Sequence, residues 1–206
     1  MTDFPYLARY KEENRLLLQN IKAPIKLVFL GDSITEFWSF EYPEFFENSN
    51  NVNRGIRGQT TPQLLGRFEQ DVLQLKPESV HLLAGTNDIA GNTGLMTLEM
   101  TQQNLFNMAN QATQAGIQVF IGSILPACQY SWSPKIKPSE LIRELNQWIQ
   151  VTTLQNNWKY IDYFSPMVDE TGCLKTNYSE DGVHPNRNGY QCMVDVFNLA
   201  TKQFDA

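Results

Sequence analysis

An aspartate and a histidine stand three residues apart in the stretch SEDGVHPNRNGY, Ser179 to Tyr190. One interpretation is purely local, because Asp181-Gly182 is typical of a turn and Pro185 suits the first turn of a helix. The other interpretation is chemical. A carboxylate at Asp181 can orient the imidazole of His184, which then takes a proton from a nucleophile. The choice between the two depends on whether the chain supplies a nucleophile elsewhere.

Ser33 is the candidate nucleophile, in the stretch GDSIT that follows the apolar run IKLVFL. At a strand-to-helix turn its hydroxyl is lifted from the sheet edge and its N–H lies near a helix N-terminus. Gly58, in RGIRGQT, offers a backbone N–H that a substrate can approach closely because no side chain intervenes. Asn87, in GTNDI, offers an uncharged amide donor. Together with Asp181 and His184 these residues form the set that acyl transfer needs, although each alone is typical of loops and caps.

The elements that must position these residues alternate along the chain. Short apolar runs predict strands buried on both faces, at Ile25–Leu30, Ser79–Ala84, Gln118–Ile124 and, more weakly, Lys159–Tyr163, with NNVN before RGIRGQT as a weak further strand. Segments with helical spacing lie between or after them, at Thr61–Leu75, Leu95–Gly116, Ser139–Gln155 and Asn186–Phe204.

This alternation predicts an α/β protein with a parallel sheet covered by helices on both faces. We find no linker, repeat or low-complexity tract, so residues 1–206 are predicted to form a single domain. In open parallel sheets, functional groups gather on the loops that leave the carboxyl ends of the strands. Ser33, Gly58 and Asn87 all follow predicted strands, so we expect them at one edge of the sheet.

Charge and composition narrow the class of protein. The 206 residues carry a net charge of −6 with a pI near 4.9, which argues against nucleic acid as a partner. No apolar run reaches the length of a membrane span, and the first residues lack the pattern of a signal peptide. We therefore predict a cytoplasmic protein. Cys128, Cys173 and Cys192 are odd in number and scattered, which favours reduced thiols.

Metal and cofactor chemistry finds no support in the sequence. The second histidine, His81, lies inside SVHLLA, where a core residue is expected rather than a ligand. The stretch GIRGQTTPQLLG lacks the lysine of a phosphate-binding loop and the spacing of a dinucleotide fingerprint. We predict no cofactor and no metal.

The ordered motifs resemble those of the SGNH, or GDSL, hydrolases. VFLGDSIT is similar to their first block, NRGIRGQT to the second, GTND to the third and DGVHP to the last. The resemblance spans nearly the whole chain, with Ile34 where the family name has leucine. It implies a flavodoxin-like three-layer α/β/α sandwich with a five-stranded parallel sheet. It also implies a Ser33–His184–Asp181 triad, with the N–H groups of Ser33 and Gly58 and the Asn87 amide as oxyanion hole.

The substrate is less well defined by these motifs. The second and third blocks look most like those of bacterial platelet-activating-factor acetylhydrolase-like esterases, which favours a small-molecule ester with a short acyl group. Lysophospholipids or thioesters with longer chains, and acetylated carbohydrates, remain alternatives. Aromatic residues cluster at Glu36–Phe46 and in CQYSWSP, and Trp38, Tyr130 and Trp132 are the candidates for substrate contact. These clusters could form an apolar or sugar-stacking wall, or could simply pack onto the body of the protein. The segment Leu125–Pro138 is predicted to set specificity.

Two other classes of protein fit the sequence less well. A binding protein that had lost catalysis would be expected to lack Ser33, His184 or Asn87, and the chain keeps all three. A metal-dependent phosphoesterase using Asp32 or Asp88 would need a cluster of metal ligands, and no such cluster is visible. A serine esterase is the favoured function.

Overall fold

The computed structural model describes residues 3–20, 23–47 and 49–202. Its centre is a parallel sheet of five strands, in the order β2-β1-β3-β4-β5. The strands are β1 (Leu27–Gly31), β2 (Asn51–Gly55), β3 (Ser79–Leu83), β4 (Gln118–Gly122) and β5 (Lys159–Ile161). This strand order is the flavodoxin-like arrangement. The predicted fold class is confirmed.

Helices follow the strands along the chain. They are α1 (Ala8–Asn20), α2 (Ser33–Glu41), α3 (Thr61–Asp71), α4 (Thr86–Ala90), α5 (Leu98–Gln114), α6 (Pro138–Gln155), α7 (Phe164–Met167) and α8 (Arg187–Lys202). Short 3-10 turns occupy Pro43–Phe45 and Leu73–Leu75. The last two residues of the predicted helix 186–204 lie outside the described residues. Helices α1, α4 and α7 were not predicted, because α1 is strongly polar and α4 and α7 are each about a single turn.

Two apolar layers cover the sheet, because alternate residues of a strand face opposite sides. One layer joins the sheet to α3, α5 and α6, and contains Val28, Leu30, Val80, Leu82, Ile121, Leu64, Phe68, Met108 and Ile149. The other joins it to α2 and α8, and contains Leu27, Phe29, Leu83, Phe120, Ile34, Trp38, Tyr190 and Phe197. The three-layer sandwich therefore follows from strands that are apolar on both faces.

The register of the sheet brings the predicted site loops together. Gly31, the last residue of β1, pairs with Gly55 at the end of β2 and with Leu83 at the end of β3. Ser33, Gly58 and Asn87 follow these strand ends by two to four residues. They consequently leave the sheet at one level of its carboxyl edge.

The cysteines differ from the sequence prediction. Cys128 and Cys173 form a disulfide across 45 residues of chain, with their Cα atoms 5.0 Å apart, and Cys192 is a free thiol. The prediction of reduced thiols was therefore wrong for this pair, because only the folding of α6, β5 and α7 brings the two segments together. Disulfides persist mainly in oxidising compartments, so this bond argues against the predicted cytoplasmic location.

Candidate active site

Ser33 occupies the first position of α2, immediately after β1. Asp32 caps this helix, since its Oδ1 accepts a hydrogen bond of 2.9 Å from the backbone N–H of Ile34. The N–H groups of a first helical turn have no partner within the helix, so the Ser33 N–H is available to a ligand. The cap therefore places both the serine hydroxyl and the positive end of the α2 helix dipole at the carboxyl edge of the sheet.

His184 lies on the loop before α8 and faces the serine across the sheet edge. Its Nε2 is 3.0 Å from Ser33 Oγ, and its Nδ1 is 2.7 Å from Asp181 Oδ2. An ionised carboxylate can only accept hydrogen bonds, so Nδ1 must carry the ring hydrogen. The lone pair of Nε2 is then directed to the serine hydroxyl, which is the arrangement of a base beside a nucleophile.

Asp181 is held by its own loop as well as by the histidine. Its Oδ1 accepts hydrogen bonds from the backbone N–H groups of Val183 and His184, at 2.9 and 2.8 Å. Partial burial alone would raise the pKa of Asp181, but the hydrogen bonds from the His184 side chain and these backbone groups outweigh it and lower the pKa. The carboxylate therefore stays ionised while it orients the imidazole.

Gly58 and Asn87 bring hydrogen-bond donors to the same place. Gly58 has a left-handed φ of +76°, and a Cβ there would have its nearest neighbour 4.0 Å away, at Asn92 Nδ2, so the backbone faces open space. Asn87, in α4, is 4% exposed, and its Nδ2 donates to Gln59 O at 3.0 Å and to Asp32 Oδ2 at 3.2 Å. The structure thus brings together the residues predicted as triad and oxyanion hole.

These residues open into a pocket of about 270 Å³. The residues lining it are Ser33, Phe37, Arg57, Gly58, Asn87, Asn92, Trp132 and His184. The predicted residue Trp132 is 43% exposed and its ring centre lies 6.2 Å from that of His184. A larger cavity, of about 680 Å³, lies at the amino edge of the sheet, far from the nucleophile and base. The smaller pocket is therefore the candidate active site.

Three lining residues were missed by the sequence analysis. Phe37 follows Ser33 by four residues and so shares its helix face, a spacing that could have revealed it. The guanidinium of Arg57 lies 5.1 Å from the Phe37 ring centre, and its Nε is 3.1 Å from Glu36 Oε2. Asn92 follows the GTND motif and gave no separate signal.

Two predicted aromatic residues do not reach the pocket. Trp38 is fully buried and stacks on Phe45 with ring centres 5.0 Å apart, because one further helical step from Phe37 turns it towards the sheet. Tyr130 is also fully buried, and it stacks beneath Trp132 at 5.0 Å. Both predictions of substrate contact are therefore corrected: Trp38 is a core residue and Tyr130 supports the ring above it.

A buried carboxyl group lies beside the nucleophile. Asp32 is 2% exposed, and burial raises its pKa to about 7, against the lowering effects of the Ile34 N–H and of His184. The nearby carboxylate of Asp88 raises the pKa further. Folding therefore favours the protonated form of Asp32 over a pH range in which an unfolded chain would lose the proton.

The Asp32→Asn variant is expected to gain stability relative to the wild type as the pH rises from 5 to 8. The unfolded wild type has already released this proton near pH 3.8, whereas the folded state retains it up to about pH 7, so wild-type stability falls over this range. The gain is roughly 2 to 3 kcal/mol between the two pH values, from 1.36 kcal/mol per pKa unit. Urea unfolding of both proteins at each pH measures it, and any pH-independent cost of the amide cancels in this comparison.

The matched control is Asp195→Asn, at an exposed carboxylate on α8. We expect its stability to follow that of the wild type at both pH values. If Asp32→Asn also runs parallel to the wild type, Asp32 is not held protonated by the fold.

The second histidine, His81, is a structural residue. His81 is fully buried with Nε2 3.0 Å from Tyr163 Oη, and burial lowers its pKa to about 3, so it is a neutral core residue as predicted.

Within residues 3–20, 23–47 and 49–202, no group of three or more His, Cys, Asp or Glu side chains could hold a metal ion. In the same ranges no helix has the length and apolar character needed to cross a membrane.

Comparison with known proteins decides the family. The sequence profile of the GDSL-like lipase/acylhydrolase family matches residues 29–192, which include all the candidate triad and oxyanion-hole residues. The chain belongs to the GDSL-like lipase/acylhydrolase family. This confirms the resemblance found in the sequence motifs.

This GDSL-like protein is similar to several solved structures and curated proteins. A GDSL-like lipase from Bacteroides thetaiotaomicron is 38% identical, with a TM-score of 0.93 and coverage of 97% of this chain and 98% of that one. A structure from Streptococcus pneumonia, described as a candidate platelet activating factor, is 27% identical, with a TM-score of 0.79 and coverage of 93% and 91%. An acetylxylan esterase from Geobacillus stearothermophilus is 32% identical over a matched region that covers 31% of this chain and 40% of the esterase. The chain spans less than half the length of the two curated relatives it matches.

Proposed function

We propose that this protein is a serine esterase that cleaves carboxylic esters of short acyl groups through an acyl-enzyme intermediate. The observation that carries the proposal is the continuous contact from Asp181 through His184 to Ser33, with contact distances of 2.7 and 3.0 Å. Nucleophile, base and orienting carboxylate in this order are the requirements for acyl transfer. Membership of the GDSL-like lipase/acylhydrolase family supports the same chemistry.

The reaction begins when Ser33 Oγ bonds to the ester carbonyl carbon while its proton passes to His184 Nε2. The carbonyl oxygen becomes an oxyanion, which accepts hydrogen bonds from the N–H groups of Ser33 and Gly58 and from the Asn87 amide. When the tetrahedral intermediate collapses, the C–O bond to the alcohol breaks and the leaving oxygen takes the proton from His184. Water then attacks the acyl-Ser33 ester by the same route, which releases the acid and restores the enzyme.

Asn87 requires a rearrangement of its contacts in this scheme. Both of its amide hydrogens have acceptors in the free protein, and the contact with Asp32 Oδ2, at 3.2 Å, is the longer one. We infer that the oxyanion shares the hydrogen now directed at Asp32. A full negative charge on the substrate attracts this donor more strongly than a carboxyl group that is largely protonated below pH 7.

The size of the pocket supports a short acyl group. Pockets that bury drug-sized ligands usually span about 300 to 1,000 Å³, and this one, of about 270 Å³, must hold part of the alcohol as well. The half-exposed ring of Trp132 at the rim favours one second candidate, an O-acetylesterase that stacks a sugar on this ring. The relative described as an acetylxylan esterase supports that alternative.

A series of 4-nitrophenyl esters tests the proposed acyl preference. We expect kcat/KM to be highest for acetate or butyrate and to fall by roughly tenfold or more at octanoate, because a chain too long for the pocket must displace the lining side chains or hold the ester away from its reactive position. Rates are measured below KM at one pH, with the corresponding thioesters and a lysophospholipid alongside. A maximum at octanoate or longer would show a long-chain acylhydrolase instead. Faster deacetylation of acetylated xylo-oligosaccharides than of aryl acetates would favour the carbohydrate esterase.

A further inference from the structure

Asn92 connects three loops of the site through one side chain. It follows α4 by two residues, and its Nδ2 donates to Asn87 Oδ1 at 2.8 Å and to Gly58 O at 3.2 Å. Its Oδ1 accepts a hydrogen bond of 3.0 Å from Trp132 Nε1. These partners lie on the loops that follow β2, β3 and β4, so a single amide joins both predicted oxyanion donors to the aromatic rim.

The hydrogen bond from Asn92 determines which end of the Asn87 side-chain amide faces the pocket. An asparagine amide can turn over and exchange its oxygen with its nitrogen at little intrinsic cost. A donor from Asn92 on one side, and the carbonyl acceptor of Gln59 on the other, both require Oδ1 to point at Asn92. In the reversed orientation Oδ1 would replace Nδ2 near the pocket and would repel an oxyanion.

Gly58 and Trp132 are restrained by the same side chain. The hydrogen bond from Asn92 to the Gly58 carbonyl restrains a left-handed glycine, a residue type whose backbone has unusually large conformational freedom. The Trp132 ring is clamped between the Asn92 bond at its edge and the stacked face of Tyr130. Asn92 itself is exposed, and each partner of its side chain belongs to the pocket or its support. A role in global stability is therefore a poor explanation for this set of contacts.

We propose that Asn92 is a positioning residue for the oxyanion hole, acting mainly through the orientation of the Asn87 amide, with its longer bond to the Gly58 carbonyl as a smaller contribution. The inference rests on the proposed esterase function, in which these two donors receive the developing charge. The hydrogen bond between Asn92 and Trp132 links the aromatic rim of the pocket to the oxyanion hole, but it is secondary to this role. The effect must then appear in turnover rather than in substrate binding, because an oxyanion donor matters most when charge develops.

The test measures kcat and KM for Asn92→Ala, Asn92→Asp and the control Asn198→Ala with the best short-chain ester. Asn92→Asp keeps the size and the acceptor for Trp132 but loses the donor to Asn87. We expect both Asn92 variants to lower kcat about 10- to 100-fold with little change in KM, somewhat less than the roughly 10²- to 10³-fold loss expected for Asn87→Ala. Asn198→Ala removes an exposed asparagine amide on α8, at the amino edge of the sheet and away from the pocket, so its kcat should stay within about threefold of the wild type.

A double-mutant cycle separates positioning from an independent effect. In the Asn87→Ala background, Asn92→Ala is expected to lower kcat by less than about threefold further, because the group that it orients is already gone. An equal loss in both backgrounds would overturn the proposal, as would an Asn92→Ala variant with wild-type kcat. A general structural effect would instead lower the melting temperature and act in both backgrounds.

A second readout does not depend on turnover. In the wild type the side-chain NH₂ of Asn87 should give one sharp pair of NMR resonances, and in Asn92→Ala this pair should broaden or split as the amide samples both orientations. Unchanged resonances would overturn the positioning role. Failure of the proposed function looks different, because the wild type would then neither hydrolyse esters nor react with a fluorophosphonate at Ser33, whatever the Asn92 variants do.

Discussion

Ser33→Ala is expected to abolish ester hydrolysis and to leave a folded protein. Ser33 Oγ contacts His184 Nε2, whose side chain is 27% exposed, so removal of the hydroxyl leaves a group that water can satisfy. The loss in kcat should be on the order of 10⁴-fold or more, as for other members of a triad. Turnover of a short-chain ester and the circular dichroism melting curve measure the two expectations together.

The control is Ser165→Ala, which removes an exposed serine hydroxyl at α7 and should keep full activity. A fluorophosphonate probe should label one serine in the wild type and in this control, and none in Ser33→Ala. A Ser33→Ala protein that retains a tenth of the wild-type turnover would show that another residue is the nucleophile.

His184→Ala should lose about as much activity as Ser33→Ala. The two residues act as a unit, so the double variant should be scarcely less active than either single variant. Asp181→Asn should cost less, roughly 10³- to 10⁴-fold, because its Oδ1 can still accept the backbone N–H groups of Val183 and His184. Its amide nitrogen would nevertheless face Nδ1 as a donor and would favour the tautomer that cannot take the serine proton.

Steady-state rates of Ser33→Ala, His184→Ala and Asp181→Asn, measured at one pH, test the expected order of the activity losses. Glu180→Gln, at the exposed neighbour of Asp181, serves as the matched control and should be fully active. If Asp181→Asn behaves like this control, the carboxylate does not orient the base. If the losses of Ser33→Ala and His184→Ala multiply in the double variant, the two side chains do not share one step.

The sequence determined the architecture because the signals for it are local. The run Gln118–Ile124 contains successive apolar residues, Val119 to Ile121, a pattern typical of strands that are covered on both faces. The predicted strands accordingly lie within about two residues of those observed. The order of the GDSIT, RGIRGQT and GTNDI motifs also placed Ser33, Gly58 and Asn87 just after strands that the sheet register aligns at one edge. His184, in DGVHP, reaches Ser33 from the loop before α8.

Only the tertiary structure decided which aromatic rings reach that edge. Trp38 and Phe37 are neighbours in the chain, yet one turns into the core and the other into the pocket, since successive helical residues are about 100° apart. Tyr130 and Trp132 were predicted together, but stacking buries the first beneath the second. Composition shows that aromatic residues are present, whereas burial depends on which element packs against them.

The long-range pairings also belong to the tertiary structure alone. Cys128 and Cys173 are bonded across 45 residues, and no spacing rule in the chain links them. The raised pKa of Asp32 depends on burial that several elements create together, although the residue itself stands in the GDSIT motif. The bonds of Asn92 to Asn87, Gly58 and Trp132 join three strand exits. Each of these depends on distances between segments remote in sequence, and such distances exist only once the sheet has formed and its loops have met.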